Sequence, residues 1–319
     1  MNSRKKALVI GSGSIGVKHI MNLIDLEFDV FVFDIAFNNY EMLSHNRKNI
    51  KLFYSLNELI FNLKIESCHL LVISTWGPSH FRFFQLAVNL NIKKIIFEKP
   101  ICCSNFQQDQ IYKISKKNKI KFIVHFKRDF NGLEGSIKNI LKQYGQKPKM
   151  VNVHGGAACL VTNGIHFINI ACNIFNEYPI AVFSDMKNSG INPRNKNLGY
   201  YEGSIKLYFR NKKFFCISNT NQSSINNSLN IYTEMLRIDV EGRKIFLGKN
   251  SNFIKTKLTK HSLVTRKLIK EINENNYYKN CIRELHSTKN KHEHYLKINN
   301  IILESLRSSQ KKKYCSLKN

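Results

Sequence analysis

Four short stretches hold residue types that can bind a dinucleotide and move protons. The first is Gly11-Ser12-Gly13-Ser14-Ile15-Gly16, a GxGxxG run between the apolar Lys6–Ile10 and a periodic segment, Ile15–Leu26. Here Gly11 would make the tight turn, Gly13 would let the backbone approach a pyrophosphate without a Cβ in the way, and Gly16 would let a helix pack against the strand. Ser12, Ser14 and Ile15 complete the loop, and the amides at the helix start donate to the anion. Asp34 ends the next apolar run, Val30–Phe33, at about the 20-residue distance expected of a carboxylate that accepts from ribose hydroxyls. Ile35-Ala36-Phe37 after it offers no arginine for a 2′-phosphate, so the expected cofactor is NAD rather than NADP.

The second stretch, VISTWGPSH (Val72–His80), leaves a strand and enters a helix, with Ser79 expected as the cap. Loops at the carboxyl ends of parallel strands are where ligands bind, which makes Ser74, Thr75, Trp76 and His80 cofactor-side candidates. The third, Phe97-Glu98-Lys99-Pro100, sets a charged pair at the mouth of a buried strand, which adds Glu98 and Lys99 to the cofactor-side candidates. Lys99 there can hydrogen-bond a hydroxyl, or exchange a proton if its pKa is depressed. The fourth, LVTNGIHFIN (Leu160–Asn169), carries His166 in a mostly apolar run. Taken alone, that histidine reads as a packed core residue or as an acid/base. Arg128, in His125-Phe126-Lys127-Arg128, can hold a carboxylate or phosphate bidentately.

These stretches need a frame, and the pattern between them supplies it. Strand-like runs at Lys6–Ile10, Val30–Phe33, Cys68–Ser74, Lys94–Phe97 and Phe122–Val124 alternate with helical patterns at Leu56–Leu63, Phe81–Asn91 and Phe106–Lys117. Continuous apolar strands separated by helices imply a doubly wound parallel sheet covered on both faces. After residue 125 the pattern changes. A helix is expected over Val161–Phe175, with Ile165, Ile168, Ala171, Cys172 and Phe175 on one face. Alternating strands follow at Ile180–Met186, Gly203–Phe209, Phe214–Asn219, Leu229–Val240 and Lys244–Leu247, with a hairpin turn at Glu241–Lys244 and a last helix at His292–Ser308. The expected organisation is a Rossmann domain at 1–125 and an α+β domain with a large, mostly antiparallel open sheet at 126–319. The C-terminal helix can pack back on the first domain.

Composition narrows the classes. The 319 residues suffice for two cores, and no apolar run approaches the roughly 20 residues that cross a bilayer. The short Ala7–Ile10 run is followed by glycines and offers no signal-peptide core, so a cytoplasmic location and no membrane partner are expected. Eight cysteines, scattered without a CxxC pair, read as reduced and mostly buried. The net charge of +28 is spread along the chain beside many asparagines and reads as compositional; no recognition element supports nucleic acid as a partner. His286, His292 and His294 lie among Lys289, Lys291 and Lys297, which would repel a cation, so no metal is expected.

Taken in order, GSGSIG, the Phe33-Asp34 pair, STWGPSH and EKPI resemble the N-terminal domain of the glucose–fructose oxidoreductase/inositol dehydrogenase family, Gfo/Idh/MocA. The likeness continues more loosely through Gly155-Gly156 and NGIH. Where the family usually reads ATPNxxH, Trp76 and Gly77 replace Pro and Asn, while Thr75 and His80 keep their places. The resemblance implies NAD(P)-dependent hydride transfer at a CH–OH or ketone carbon of a sugar, a cyclitol or a nucleotide-linked or phosphorylated sugar, and homo-oligomers packed through the open sheets. It places the catalytic histidine at His166 and a partner lysine at Lys99, with Thr162 and Asn163 beside the substrate. The family pattern near DxGxHxxD has acids where this chain has Thr162 and Asn169. The second reading is therefore a dinucleotide-binding sensor or scaffold whose catalysis is altered.

Overall fold

Strands whose residues are apolar on both faces need cover on both faces, and the first unit provides it. The computed structural model describes residues 4–36, 43, 47–65, 67–156, 158–189, 199–249, 266–273, 276–287 and 291–317. Internal contacts group Met1–Phe126 with Asn276–Asn299, and Lys127–Asn275 with Asn300–Asn319. In the first unit β1 (Lys6–Ile10), α1 (Ser14–Asp25), β2 (Asp29–Phe33), β3 (Ile50–Phe53), α2 (Leu56–Ile65), β4 (Leu70–Ile73), α3 (Gly77–Asn89), β5 (Lys94–Phe97), α4 (Asn105–Lys117) and β6 (Lys121–Val124) alternate along the chain. The strands form one parallel sheet in the order β3-β2-β1-β4-β5-β6. The order reverses beside β1, so the loops leaving β1 and β4 flank the crevice where ligands of such sheets bind.

Two sequence expectations change in this unit. β3 was not expected; it is short and only half buried, without a continuous apolar run. Helix α3 starts at Gly77, four residues before the expected Phe81, with a proline in its first turn, where the missing N–H costs nothing. Ser79 is therefore inside the helix and not its cap. Trp76 occupies the cap position, and the Ser79 hydroxyl donates to the Trp76 carbonyl at 2.8 Å.

The second unit contains α5 (Lys127–Phe130), α6 (Leu133–Gln143), β7 (Met150–Gly156), α7 (Leu160–Phe175), β8 (Ala181–Asn188), β9 (Tyr201–Tyr208), β10 (Phe214–Thr220), β11 (Ser228–Tyr232), β12 (Leu236–Glu241), β13 (Lys244–Lys249) and β14 (Arg266–Glu271). The helices α8 (Tyr277–His286) and the start of α9 (His292–Lys311) belong to the first unit; the end of α9 and β15 (Cys315–Ser316) belong to the second. Nine strands form a sheet in the order β14-β13-β12-β11-β7-β10-β9-β8-β15. Among the described residues only the β7–β10 pair is parallel, so the sheet is mixed but mostly antiparallel. One face is apolar and buried, with Val151, Val153, Ile205, Leu207, Phe215 and Ile217 in its centre, and α7 packs on β9 and β10. The expected single strand Leu229–Val240 is two strands. Thr233 breaks it: its amide donates to the Leu236 carbonyl at 2.9 Å, and its hydroxyl accepts from the Leu236 amide at 2.7 Å. No Gly or Pro marks that turn.

The beginning of α9 fastens the segment after Lys99. Asn299, 1% exposed, accepts from the Ile101 amide at 3.0 Å and donates to the Gln108 side chain at 2.9 Å. His292 accepts from the Phe122 amide at 2.9 Å and stacks on the Phe122 ring at 3.9 Å. Replacing Asn299 by Leu strands the buried Ile101 N–H, and urea denaturation should show a loss of about 1–3 kcal/mol. An unchanged midpoint would mean that this fastening contributes nothing.

Candidate functional site

The glycine loop is built as its spacing requires. Gly11 has φ +95°, a conformation that side chains rarely adopt. A Cβ at Gly16 would lie 1.9 Å from the Gly11 carbonyl oxygen, so only glycine lets α1 start this close to β1. A Cβ at Gly13 would meet nothing within 4 Å. The space over the loop is open at the position where a pyrophosphate needs the backbone bare. Gly13 is also the N-cap of α1, with no side-chain cap, which leaves the amides of the first turn to an anion. These features fit a dinucleotide.

The neighbouring side chains brace the loop. Ser74 donates to the carbonyls of Ile10 at 3.0 Å and Gly11 at 2.7 Å. Asp34 accepts from the Ser12 amide at 2.6 Å and the Ser12 hydroxyl at 2.8 Å through Oδ2, and from the Ala36 amide at 3.2 Å through Oδ1. In this structure the carboxylate expected to read the ribose also shapes the loop; Phe37, named with the absence of a 2′-phosphate arginine, lies outside the described residues. Thr75 and Ser79 share a hydrogen bond at 2.7 Å, and Trp76 is exposed.

Two expected cofactor contacts face inward. His80 is fully buried, with Nε2 against the Thr75 carbonyl at 3.1 Å, so it holds the STWG turn and offers no surface to a ligand. Glu98 is also buried. Its Oε1 receives His19 Nε2 at 3.0 Å and His125 Nδ1 at 2.7 Å. Tyr278 of α8 closes the cluster, edge-on to His19 at 4.7 Å and stacked with His125 at 4.8 Å. The donor atoms of the three residues lie within 4.8 Å of one another, close enough for a metal. Both ring nitrogens, however, point at one carboxylate oxygen, which is the geometry of N–H donation to a shared acceptor. Burial opposes the charge on Glu98, but the charge of His125 and the hydrogen bonds from both histidines outweigh it and hold the carboxyl well below its usual range. Burial pushes His19 below the ordinary imidazole value despite its bond to Glu98. The next residue, Lys99, is half buried and precedes Pro100 through a cis peptide bond.

Sequence reading missed His19, His125 and Tyr278 as members of a site. A signal existed for one of them: His19 lies three residues after Gly16, on the buried face of α1.

In the second unit His166, Asn163 and Arg128 line one cavity of about 570 Å³, together with Lys127, Asn131 and Arg243. The Arg128 guanidinium carbon lies over the Phe167 ring, 4.1 Å from its centre, a cation–π contact. Thr162 is half buried on the first turn of α7 and is not among the cavity's lining residues. Asn169 is fully buried, donates to Asp129 and is not among the cavity's lining residues. Of the residues expected on this helix, His166 and Asn163 line the cavity. Gly156 shapes the cavity wall: a Cβ there would lie 1.9 Å from the Ser223 carbonyl oxygen.

Residues 5–126 match the model of the family described as "Oxidoreductase family, NAD-binding Rossmann fold". Structures of similar fold include yvaA from Bacillus subtilis (TM-score 0.79, 14% identity, 100% of each chain), myo-inositol 2-dehydrogenase from Lactobacillus plantarum (0.74, 14%, 99% of this chain and 100% of that one) and a super-repressor mutant of Gal80p from Saccharomyces cerevisiae (0.73, 12%, 98% of each). At these identities the likeness is one of fold. A search of curated proteins gave no match.

Two predictions follow from the loop and the buried cluster. Gly16→Ala should lower stability by about 1–3 kcal/mol through overpacking against backbone, whereas Gly13→Ala should melt like the wild type and lose dinucleotide affinity at least ~10-fold. Calorimetric titration with parallel melting curves separates the two. For pH, the unfolded chain takes up protons at His19 near 6.5 and at Glu98 near 4.5, while the native state resists both. Stability is therefore full above about pH 6.5 and falls with acidification, first through the histidine and again below 4.5 through the carboxylate, by about 1.4 kcal/mol per unit of depression. Urea midpoints across this range should show a loss below 4.5 that becomes shallower in Glu98→Gln.

Proposed function

We propose, from residues 5–126 being an NAD-binding Rossmann domain of the Gfo/Idh/MocA oxidoreductase family, that this protein is an NAD-dependent oxidoreductase acting on CH–OH groups of a sugar-like substrate. The observation that carries this reading is the bare glycine cradle of the first unit; the second unit, taken by itself, holds a cavity lined by His166. Bound NAD supplies the two-electron acceptor for the hydride that leaves the carbinol carbon. His166 takes the hydroxyl proton as the carbinol becomes a carbonyl, and returns it in the reverse direction, a role suited to an imidazole whose unperturbed pKa is about 6.5. Lys99 is the second proposed catalytic group, an ammonium whose backbone is fixed by the neighbouring Glu98 cluster.

Asp34 supports NAD over NADP, because a carboxylate beside the loop accepts from a ribose diol and repels a 2′-phosphate. The half-buried Phe183, Tyr208, Phe214 and Phe246, on the sheet face opposite the core, support homo-oligomerisation through that sheet. No helix among the described residues is long and apolar enough to cross a membrane.

Thr162 favours a second reading. It supplies no carboxylate to orient an imidazole or accept a proton, so the chain would bind NAD(H) and act as a sensor or scaffold without turnover. Substitution separates the two. His166→Ala should lower kcat by ~10²–10⁴ while NAD affinity holds, and Asp34→Ala should weaken NADH binding by about 10-fold. Tight NADH binding by the wild type with no reduction of any keto-sugar or oxidation of any polyol would select the sensor.

A further inference from the structure

We propose that the first unit carries a second ligand site, which binds a small anion bearing two or more phosphate groups at the end of the parallel sheet opposite the glycine cradle. The site is independent of the oxidoreductase reading. A cavity of about 650 Å³, a volume typical of small-ligand sites, lies among the carboxyl end of α4, the start of β6 and the start of α9. The run KKNKIK (Lys116–Lys121) supplies three of its lining side chains, Lys116, Lys119 and Lys121. The strands of a parallel sheet all start at one end. Lys121 opens β6 and Lys94 opens β5, so both stand at the end away from the loop that leaves β1.

The charge at this end is unbalanced. Lys121 is in register with Lys94, a like-charge pair on neighbouring strands. Burial, then the charges of Lys5 and Lys121, hold the Lys94 ammonium below its ordinary value. Burial and the Lys121 charge push the lining His292 down to about 4, so its ring is neutral at pH 7. Among the described residues no carboxylate forms an ion pair with Lys116, Lys119 or Lys121. The lining acid, Glu293, accepts from the Tyr112 hydroxyl at 3.4 Å, and Glu284 is paired with Lys291 at 2.9 Å.

The lysines are not needed to finish α4. The carbonyls of Ile114, Ser115 and Lys116 already accept from the amides of Asn118, Ile120 and Lys119. Lys119 itself has φ +53°, a slot where glycine sits without strain, so its ammonium is held there at a cost to the backbone. Ser115 gives the independent sign of a ligand. It lines the cavity and is 2% exposed, and its hydroxyl oxygen is buried without a hydrogen-bond partner. A phosphate oxygen would accept from that hydroxyl, and three ammoniums match several phosphate charges better than a single carboxylate.

Calorimetric titration with inorganic phosphate, tripolyphosphate and ATP tests this, at about 0.15 M salt and with about 1 mM NADH present to occupy the glycine cradle. Tripolyphosphate should bind once per chain, with a Kd on the order of 0.1 mM and ~10-fold or more tightly than phosphate. ATP bound no more tightly than tripolyphosphate identifies a bare phosphate chain as the ligand; tighter ATP identifies a nucleotide. Lys119→Gly and Ser115→Ala should each weaken binding about 5- to 10-fold while melting at or above the wild-type temperature. One relieves a left-handed lysine, and the other removes an unpartnered hydroxyl. A purely structural role for either residue gives no loss of affinity. Tripolyphosphate binding that neither substitution weakens, or no binding up to about 5 mM, would overturn the inference. Duplex DNA or RNA bound through these lysines in place of the small anions would overturn it too.

Discussion

A carboxylate buried among aromatic rings costs several kcal/mol unless it is paired, and Glu98 is paired twice. His19 comes from α1, the helix that begins at the glycine loop. His125 follows β6, and Glu98 itself follows β5 immediately before Lys99. One oxygen therefore ties three segments that the sheet order brings side by side. Loss of any partner leaves a buried charge or an unpaired ring nitrogen. The backbone that carries Lys99 is consequently tied to the helix that begins at the glycine loop. Tyr278 covers the cluster from a helix about 150 residues downstream, which is why α8 belongs to the first unit although it follows the second in sequence.

Local chemistry was the legible part of the site. GSGSIG could be assigned to a turn, a close approach and a helix start because each role depends on one missing Cβ, and the structure gives those constraints at Gly11 and Gly16. The parallel sheet was equally legible, since strands buried on both faces leave uninterrupted apolar runs. The His19–Glu98–His125 cluster was not, because nothing in the spacing of residues 19, 98 and 125 places them together before the strand order is known. Helix α3 began earlier than its apolar pattern, since Gly-Pro reads as a loop in sequence and yet serves as a first helical turn. His80 looked like a loop residue for the same reason and is in fact buried beneath the turn.

The second unit shows how a departure from a motif can be absorbed. Asn169 stands where the resembling family keeps an acid, and its amide meets the carboxylate of Asp129 from α5. A carboxylate thus remains beside that position of α7, supplied from a different helix. His166 lines the same cavity as Lys127, Arg128 and Arg243.

The account depends most on the bare cradle at Gly11–Gly16 receiving a nicotinamide dinucleotide. The chain's single tryptophan, Trp76, caps α3 on the loop that leaves β4, and Ser74 of the same loop bonds to the Gly11 carbonyl. Titrating the unmodified protein with NADH while exciting Trp76 reads that loop directly. Saturable quenching at one NADH per chain, with sensitised nicotinamide emission and a micromolar Kd, is the predicted result. Tryptophan emission that stays unchanged to about 1 mM NADH, a limit of about −4 kcal/mol in binding free energy, would contradict the account.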